Sequence, residues 1–348
     1  MSEKDTVAKD FLSDNRRFAD LCNYYLFDGH QVIQSESLQE QDTTELISAL
    51  DNAEKTFGIA DKALNVQKWR DILKRTVIKR SSDHIYVVIG VENQTDIHYA
   101  MPVRNMLYDA LNYSGQVSEA ARQHRQNRDY SNSAEFLSGF TQTDKLTPVI
   151  TIAVYWGDDI WDAPRSLHDM LKTDDAKILN FVSDYKLQLI VPNEITDFNK
   201  FKTNLGIVLE TIKFSSDEAA MDKLINSTPA FASLDMEAAN AINIFTNLNL
   251  SFDKKEATAN MCKAWEDHKL SGIREGKIKG KIEGSTSKLI EQTIKKINKG
   301  FSAEETADML EEPIDTIQRI YDIAASMEPD YDIEKIYEEL QKSLASIC

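Results

Sequence analysis

The chain has 348 residues, 42% of them hydrophobic, which exceeds one ordinary domain and is enough for a core domain of about 200 residues with a smaller appendage. Its net charge of -17 argues against binding nucleic acid through overall charge, because phosphate repels an acidic surface; only local basic clusters would override that average. No run approaches the roughly 20 apolar residues of a membrane span, the start MSEKDTVAKD lacks an apolar signal segment, and Cys22, Cys262 and Cys348 follow no metal-ligand spacing, so a cytoplasmic protein with reduced thiols is expected.

Asn15 to Phe27 places Phe18, Leu21, Cys22, Tyr25 and Leu26 at the spacing of an amphipathic helix, which Asp28-Gly29 ends. A short strand is expected at His30 to Ile33, then a polar loop through Thr44 and a weak helix near Glu45 to Ala53. Val66 to Val77 is rich in β-competent residues around Asp71. Ile85 to Gln94, IYVVIGVENQ, is a nearly continuous apolar run that predicts a buried strand. Together these two read as a hairpin with Lys79 to His84 as its polar connection.

Side chains two apart on a strand share a face, so Glu92 and Gln94 are expected to emerge together, with Gly90 one pleat before them leaving room for a ligand. Pro102 suits the first turn of a helix, whose buried stripe is expected at Val103, Met106, Leu107, Ala110 and Leu111. Arg104 and Tyr108, four apart, project together on another face. The polar and basic segment 121–136 is expected to continue that helix and then become a loop.

Two further apolar runs, Pro148 to Trp156 and Leu187 to Pro192, predict buried strands. Between them Asp158, Asp159 and Asp162 stand beside Gly157, a pattern of either a turn or a hard-cation site. From Phe198 onward the periodicity is helical. Gly272, Gly276, Gly280 and Gly284 recur among lysines, as in a self-associating helix or a linker. In the tail Ser302 caps a helix with Glu305 at the capping-box position, and a second helix follows Pro313.

An Asp on one strand and a Glu-x-Gln on the next bring two carboxylates to one face of a hairpin, the oxygen ligands that Mg2+ or Mn2+ prefers. Gln94 can orient water or a phosphate oxygen but cannot act as a general base. Basic clusters at Lys74, Arg75, Lys79 and Arg80, at Arg122, Arg125 and Arg128, and after Lys269 are either phosphate contacts or solvated surface.

The segments NRRFADLCNYYLF, QKWRDILKR, YVVIGVENQTDIHYAMPVRNMLYDALNY and LTPVITIAVYWGDDIWDAPRSLHDML, with the Gly-Lys-Glu tail, resemble the Rpn family of recombination-promoting nucleases and transposase-related proteins, in the PD-(D/E)XK nuclease superfamily. The resemblance covers most of residues 8 to 285. It implies an α/β fold, a restriction-endonuclease-like α/β/α core with a mixed sheet over residues 8–198. After it come a helical region at 199–265, a Gly/Lys-rich helix or linker at 266–300 and a helical tail at 301–348. It implies a magnesium- or manganese-dependent DNA endonuclease in which Asp71, Glu92 and Gln94 are catalytic. Asp71 and Glu92, joined by Asp20 of the first helix, would be the metal ligands. Arg104, Tyr108 and Lys74 would meet DNA phosphate. Gln94 stands where the superfamily has Lys. The alternative is a catalytically weak DNA-binding or assembly protein that keeps the fold, and the C-terminal helices offer a surface for a homo-oligomer.

Overall fold

The computed structural model describes residues 2–41, 71–79, 84–253, 256–327 and 331–345. The helix expected at Glu45 to Ala53, the start of the Asp71 strand at 66–70, Arg80 and the hairpin connection at 80–83 lie outside the described residues. The chain divides into two compact units, Met1–Ala264 and Trp265–Cys348.

The first unit is an α/β structure built on a five-stranded mixed sheet in the order β1 (Gln39–Glu40), β2 (Ile72–Lys79), β3 (His84–Gln94), β4 (Val149–Tyr155), β5 (Gln188–Ile190). β2 is antiparallel to β1 and β3, and β3–β4 and β4–β5 are parallel. The central strands are the apolar runs of the sequence: Ile89, Val91, Ile152, Ala153 and Val154 are fully buried, as a strand covered on both faces requires.

Two helices, α1 (Glu3–Ser13) and α2 (Asn15–Phe27), cover one face. Asp14 separates them and caps the second by accepting from the N–H groups of Arg16 and Arg17. The strand expected at His30 to Ile33 does not form. Its backbone is claimed instead by buried Asn23, whose Oδ1 accepts from Val32 and Ile33 N–H and whose Nδ2 donates to Ile33 O. A side chain thus satisfies the groups that a ladder would have used.

The β3–β4 crossover carries α3 (Met101–Asn127), which lies on the opposite face and begins with Pro102 in its first turn. Its orientation departs from the expected stripe, of which only Met106 and Leu111 are even half-buried. Val103, Leu107 and Ala110 face outward, Val103 at 40% exposure, while Met101, Asn105 and Tyr108 are buried. The sheet beneath is itself polar here, and Thr151 Oγ1 of β4 donates to Asp109 Oδ1 at 2.5 Å. Tyr108 and Asp109 thus meet polar partners, Arg104 and Thr151, at the helix–sheet contact.

After the short helices α4 (Ser133–Ser138) and α5 (Ala176–Leu179), the helical region comprises α6 (Leu205–Phe214), α7 (Glu218–Ser227) and α8 (Met236–Thr246). It is held to the core by Trp156 stacked on Phe245 at 4.6 Å and by buried Arg17, which pairs with Asp235 and Glu237. A small ribbon, β6 (Leu234–Asp235) with β7 (Thr258–Ala259), precedes α9 (Met261–Ile297).

In the second unit the glycine-bearing segment is continuous helix within α9, and a Cβ added at Gly272, Gly276, Gly280 or Gly284 would meet nothing within 4 Å. Leu270, Ile273, Ile278 and Ile282 stand more than half exposed along it. α10 (Ala303–Leu310) has the full Ser302–Glu305 capping box, and α11 (Ile314–Ala325) follows Pro313. α11, α12 (Ile333–Ala345) and the end of α9 bury Ile290, Ile320, Ile336 and Leu340 in one cluster, and α10 packs Ala303 and Ala307 with Ile317 in another. Among the described residues no helix is long and apolar enough to cross a membrane.

Candidate functional site

Asp71 immediately precedes β2, whose register pairs Ile72 with Val91. One step further along this antiparallel ladder Asp71 stands opposite Glu92, and directly opposed residues share a face. The Asp71 carboxylate closes the strand end by accepting from Asn93 N–H at 2.8 Å. Burial pushes its pKa up, against the Asn93 hydrogen bond and the positive charges of Arg104 and Lys9, which favour the ionised form.

Glu92 is fully buried, beside Ala153 of β4. Arg104 of α3 reaches it from above, with Nη2 2.9 Å from Glu92 Oε2 and the Arg104 side chain 20% exposed. Arg104 Nε donates to Tyr108 Oη at 3.2 Å, one helical turn on. Burial opposes the charge on Arg104, but Glu92, Tyr108 and Asp71 outweigh it and hold its pKa above the ordinary value. Burial, then the Glu92 charge, raises the Tyr108 phenol.

Gln94 follows Glu92 by one pleat, buried next to Tyr155. Its Nε2 is turned back to its neighbour's backbone, donating to Asn93 O at 2.9 Å.

Three expected contacts need correction. Asp20 lies on α2, where its carboxylate accepts from Lys202 N–H, Thr203 N–H and Thr203 Oγ1, so its oxygens anchor the loop before α6 and are not offered to a metal. Lys74 alternates with Leu73 on β2 and therefore points to the other face of the sheet. It is fully buried there, donating to Ser13 O and Asn15 Oδ1, each at 2.6 Å, and sits beyond the reach of a phosphate. Tyr108 is 4% exposed and packs in the core, with Arg104 as its partner. Asp158 and Asp162 diverge: the first accepts from Ser215 and Ser216, the second from Tyr99.

Sequence reasoning missed α1 and Asn105. Ser2 and Asp5 form a reciprocal cap ahead of Ala8, Phe11 and Leu12 at helical spacing, a legible start signal, and the helix brings Asp5 and Lys9 within electrostatic range of Asp71. Asn105 is fully buried on the sheet-facing side of α3, and neither Oδ1 nor Nδ2 has a hydrogen-bond partner among the described residues. Nothing in a periodicity reading marks such a residue, because it occupies a core position with a polar side chain.

Among the described residues no three His, Cys, Asp or Glu gather into a metal cluster, so the donor set is Asp71 and Glu92. Two carboxylates, with the orphaned amide oxygen of Asn105 on the same side of the sheet, fit a hard divalent cation that keeps waters or substrate oxygens. They do not fit a soft metal, which calls for thiolate or imidazole.

Fold and site together define an α/β protein with a buried carboxylate–guanidinium cluster where a β-hairpin meets the crossover helix of a mixed sheet. No protein-family model, curated protein or solved structure matches the chain.

Proposed function

We propose that this chain is a metal-dependent DNA endonuclease of the PD-(D/E)XK class, of the Rpn kind its sequence resembles, hydrolysing phosphodiester bonds in recombination or in the movement of a mobile element. The observation that supports this reading is the β2–β3 register, which pairs Ile72 with Val91 and, extended by one step, sets Asp71 opposite Glu92. A bound Mg2+ or Mn2+ lowers the pKa of water and stabilises charge on the phosphodiester. Asp71 and Glu92 would hold it. Gln94, on giving up the hydrogen bond that its Nε2 donates to Asn93 O, would orient the attacking water or a phosphate oxygen, and Arg104 would offer its guanidinium to the phosphate. The test is supercoiled plasmid with Mg2+ or Mn2+, with and without chelator. Nicking that the chelator stops and that Asp71→Asn abolishes supports the assignment, whereas equal nicking by wild type and variant sinks it.

A second reading is a DNA-binding or assembly protein with weak turnover. It is favoured by Gln94 in place of Lys and by Arg104, which already neutralises Glu92. Retention of DNA in chelator, with no nicking in either metal, would select it. In both readings a second copy packs along α9, whose exposed isoleucines and open glycines allow close helix approach. Deleting residues 269–348 should lower the number of copies per particle, read by light scattering as measured mass divided by the mass of one chain, and an unchanged number of copies refutes the contact.

A further inference from the structure

Arg104 is the partly exposed end of a pair whose other end, Glu92, has no exposure at all. The guanidinium is also tethered, because its Nε donates to Tyr108 Oη and its carbon lies 5.7 Å over the Tyr108 ring. Glu92 therefore has a cation of its own, supplied by the fold. A second cation arriving at Oε2 meets a like charge already in contact with it, and the two cannot share that oxygen without repulsion. Moving Arg104 off a buried carboxylate with nothing to replace it is unfavourable, as is leaving the guanidinium without an anion.

From this geometry we infer that Arg104 is a built-in counter-ion that closes the Glu92 site to divalent metal, and that a DNA phosphate opens the site by giving the guanidinium another anion. The inference rests on the metal-dependent reading above and adds to it the order of assembly. Metal and DNA bind weakly alone and strengthen one another. The coupling is reciprocal, as equilibrium linkage demands, and belongs to Arg104 specifically. Tyr108 is a positioning residue in this scheme. Its hydroxyl accepts from Nε and so holds the guanidinium with Nη2 toward Glu92, and it contacts neither metal nor phosphate.

Calorimetric titration of Mn2+ into the full chain, with and without a short DNA duplex checked afterwards to be uncut, tests this without reading activity. Wild type should bind Mn2+ more tightly with the duplex by about 5- to 150-fold, the ordinary range of coupling between sites. Arg104→Gln should bind Mn2+ more tightly than wild type without DNA and gain little from the duplex. If Arg104→Gln binds Mn2+ equally or more weakly and keeps the coupling, the counter-ion role is overturned while the metal site stands. If the folded wild type and variant both fail to bind Mn2+ under either condition, the metal-dependent reading falls and this inference with it. Tyr108→Phe decides the matter should Arg104→Gln not fold, since it removes one hydrogen bond and leaves both charges paired. It should raise DNA-free Mn2+ affinity by about two- to tenfold, and an unchanged affinity overturns the role.

Discussion

Replacing Arg104 with Met keeps an unbranched stem and deletes the guanidinium whose charge neutralises Glu92. The pair is buried on both sides, Glu92 completely and Arg104 to four-fifths, so solvent screening does little to soften the loss. Removing one partner of such a pair costs about 3–5 kcal/mol, chiefly from the charge left behind. In a unit of this size that lowers the melting temperature by about 6–20 °C. Without Arg104 the charged form of buried Glu92 is the one that burial disfavours, so the missing stability is small at a pH low enough to protonate it and grows as pH rises. Urea unfolding at pH 5 and pH 8 measures both quantities. The variant should lose more stability at pH 8, and Glu92→Met combined with Arg104→Met should recover most of it, because an apolar pair leaves no charge behind. A loss below about 1 kcal/mol at pH 8, the size of an exposed pair, or one independent of pH, would show that Glu92 is not held by Arg104.

Asp71→Asn should stabilise the metal-free protein at neutral pH relative to wild type: the raised Asp71 pKa means that its ionised form costs stability above the unfolded value. Denaturation curves at pH 4 and pH 7 check this, and a variant less stable at pH 7 contradicts it. Gln94→Ala should keep Mn2+ affinity and lose about 100- to 1000-fold in single-turnover cleavage, the usual loss for one positioned donor; cleavage at the wild-type rate removes Gln94 from the mechanism. Lys74→Met should destabilise by about 1–3 kcal/mol, since Ser13 O and Asn15 Oδ1 lose their donor, and should leave the salt dependence of DNA binding unchanged, whereas a shallower slope would return Lys74 to the DNA contact. His124, between Asp129 and Asp144, has its pKa raised by the Asp129 hydrogen bond first, against some burial, with Asp144 adding to it. Its imidazole should titrate above 6.5 by NMR. The tie between the end of α3 and the loop before β4 should loosen as pH rises through that midpoint, seen as faster amide exchange in residues 129–144.

Local pattern was sufficient wherever the chain's neighbours are close in sequence or the strand is buried on both faces. The Asn15–Phe27 helix, the strands at 84–94, 149–155 and 188–190, the start at Pro102 and the Ser302–Glu305 cap all follow from periodicity, β-branched runs and capping chemistry. Facial alternation also predicts that Asp71 and Glu92 share a face, and the β2–β3 register, which pairs Ile72 with Val91, sets them opposite each other when extended by one step. Tertiary structure decided the rest. Whether Val103 or Tyr108 faces the sheet depends on what the sheet presents, and the sheet presents carboxylates and hydroxyls contributed by strands more than ten residues away in the chain. Lys74 looks like surface charge until Ser13 O and Asn15 Oδ1 are folded over it. Asp20 looks like a ligand until the loop at Lys202 and Thr203 claims its oxygens. Arg104 looks free for phosphate until Glu92 is beneath it. A helix or strand is set by neighbours along the chain, but the partner of a charge is set by whichever opposite charge or dipole the completed packing brings to it.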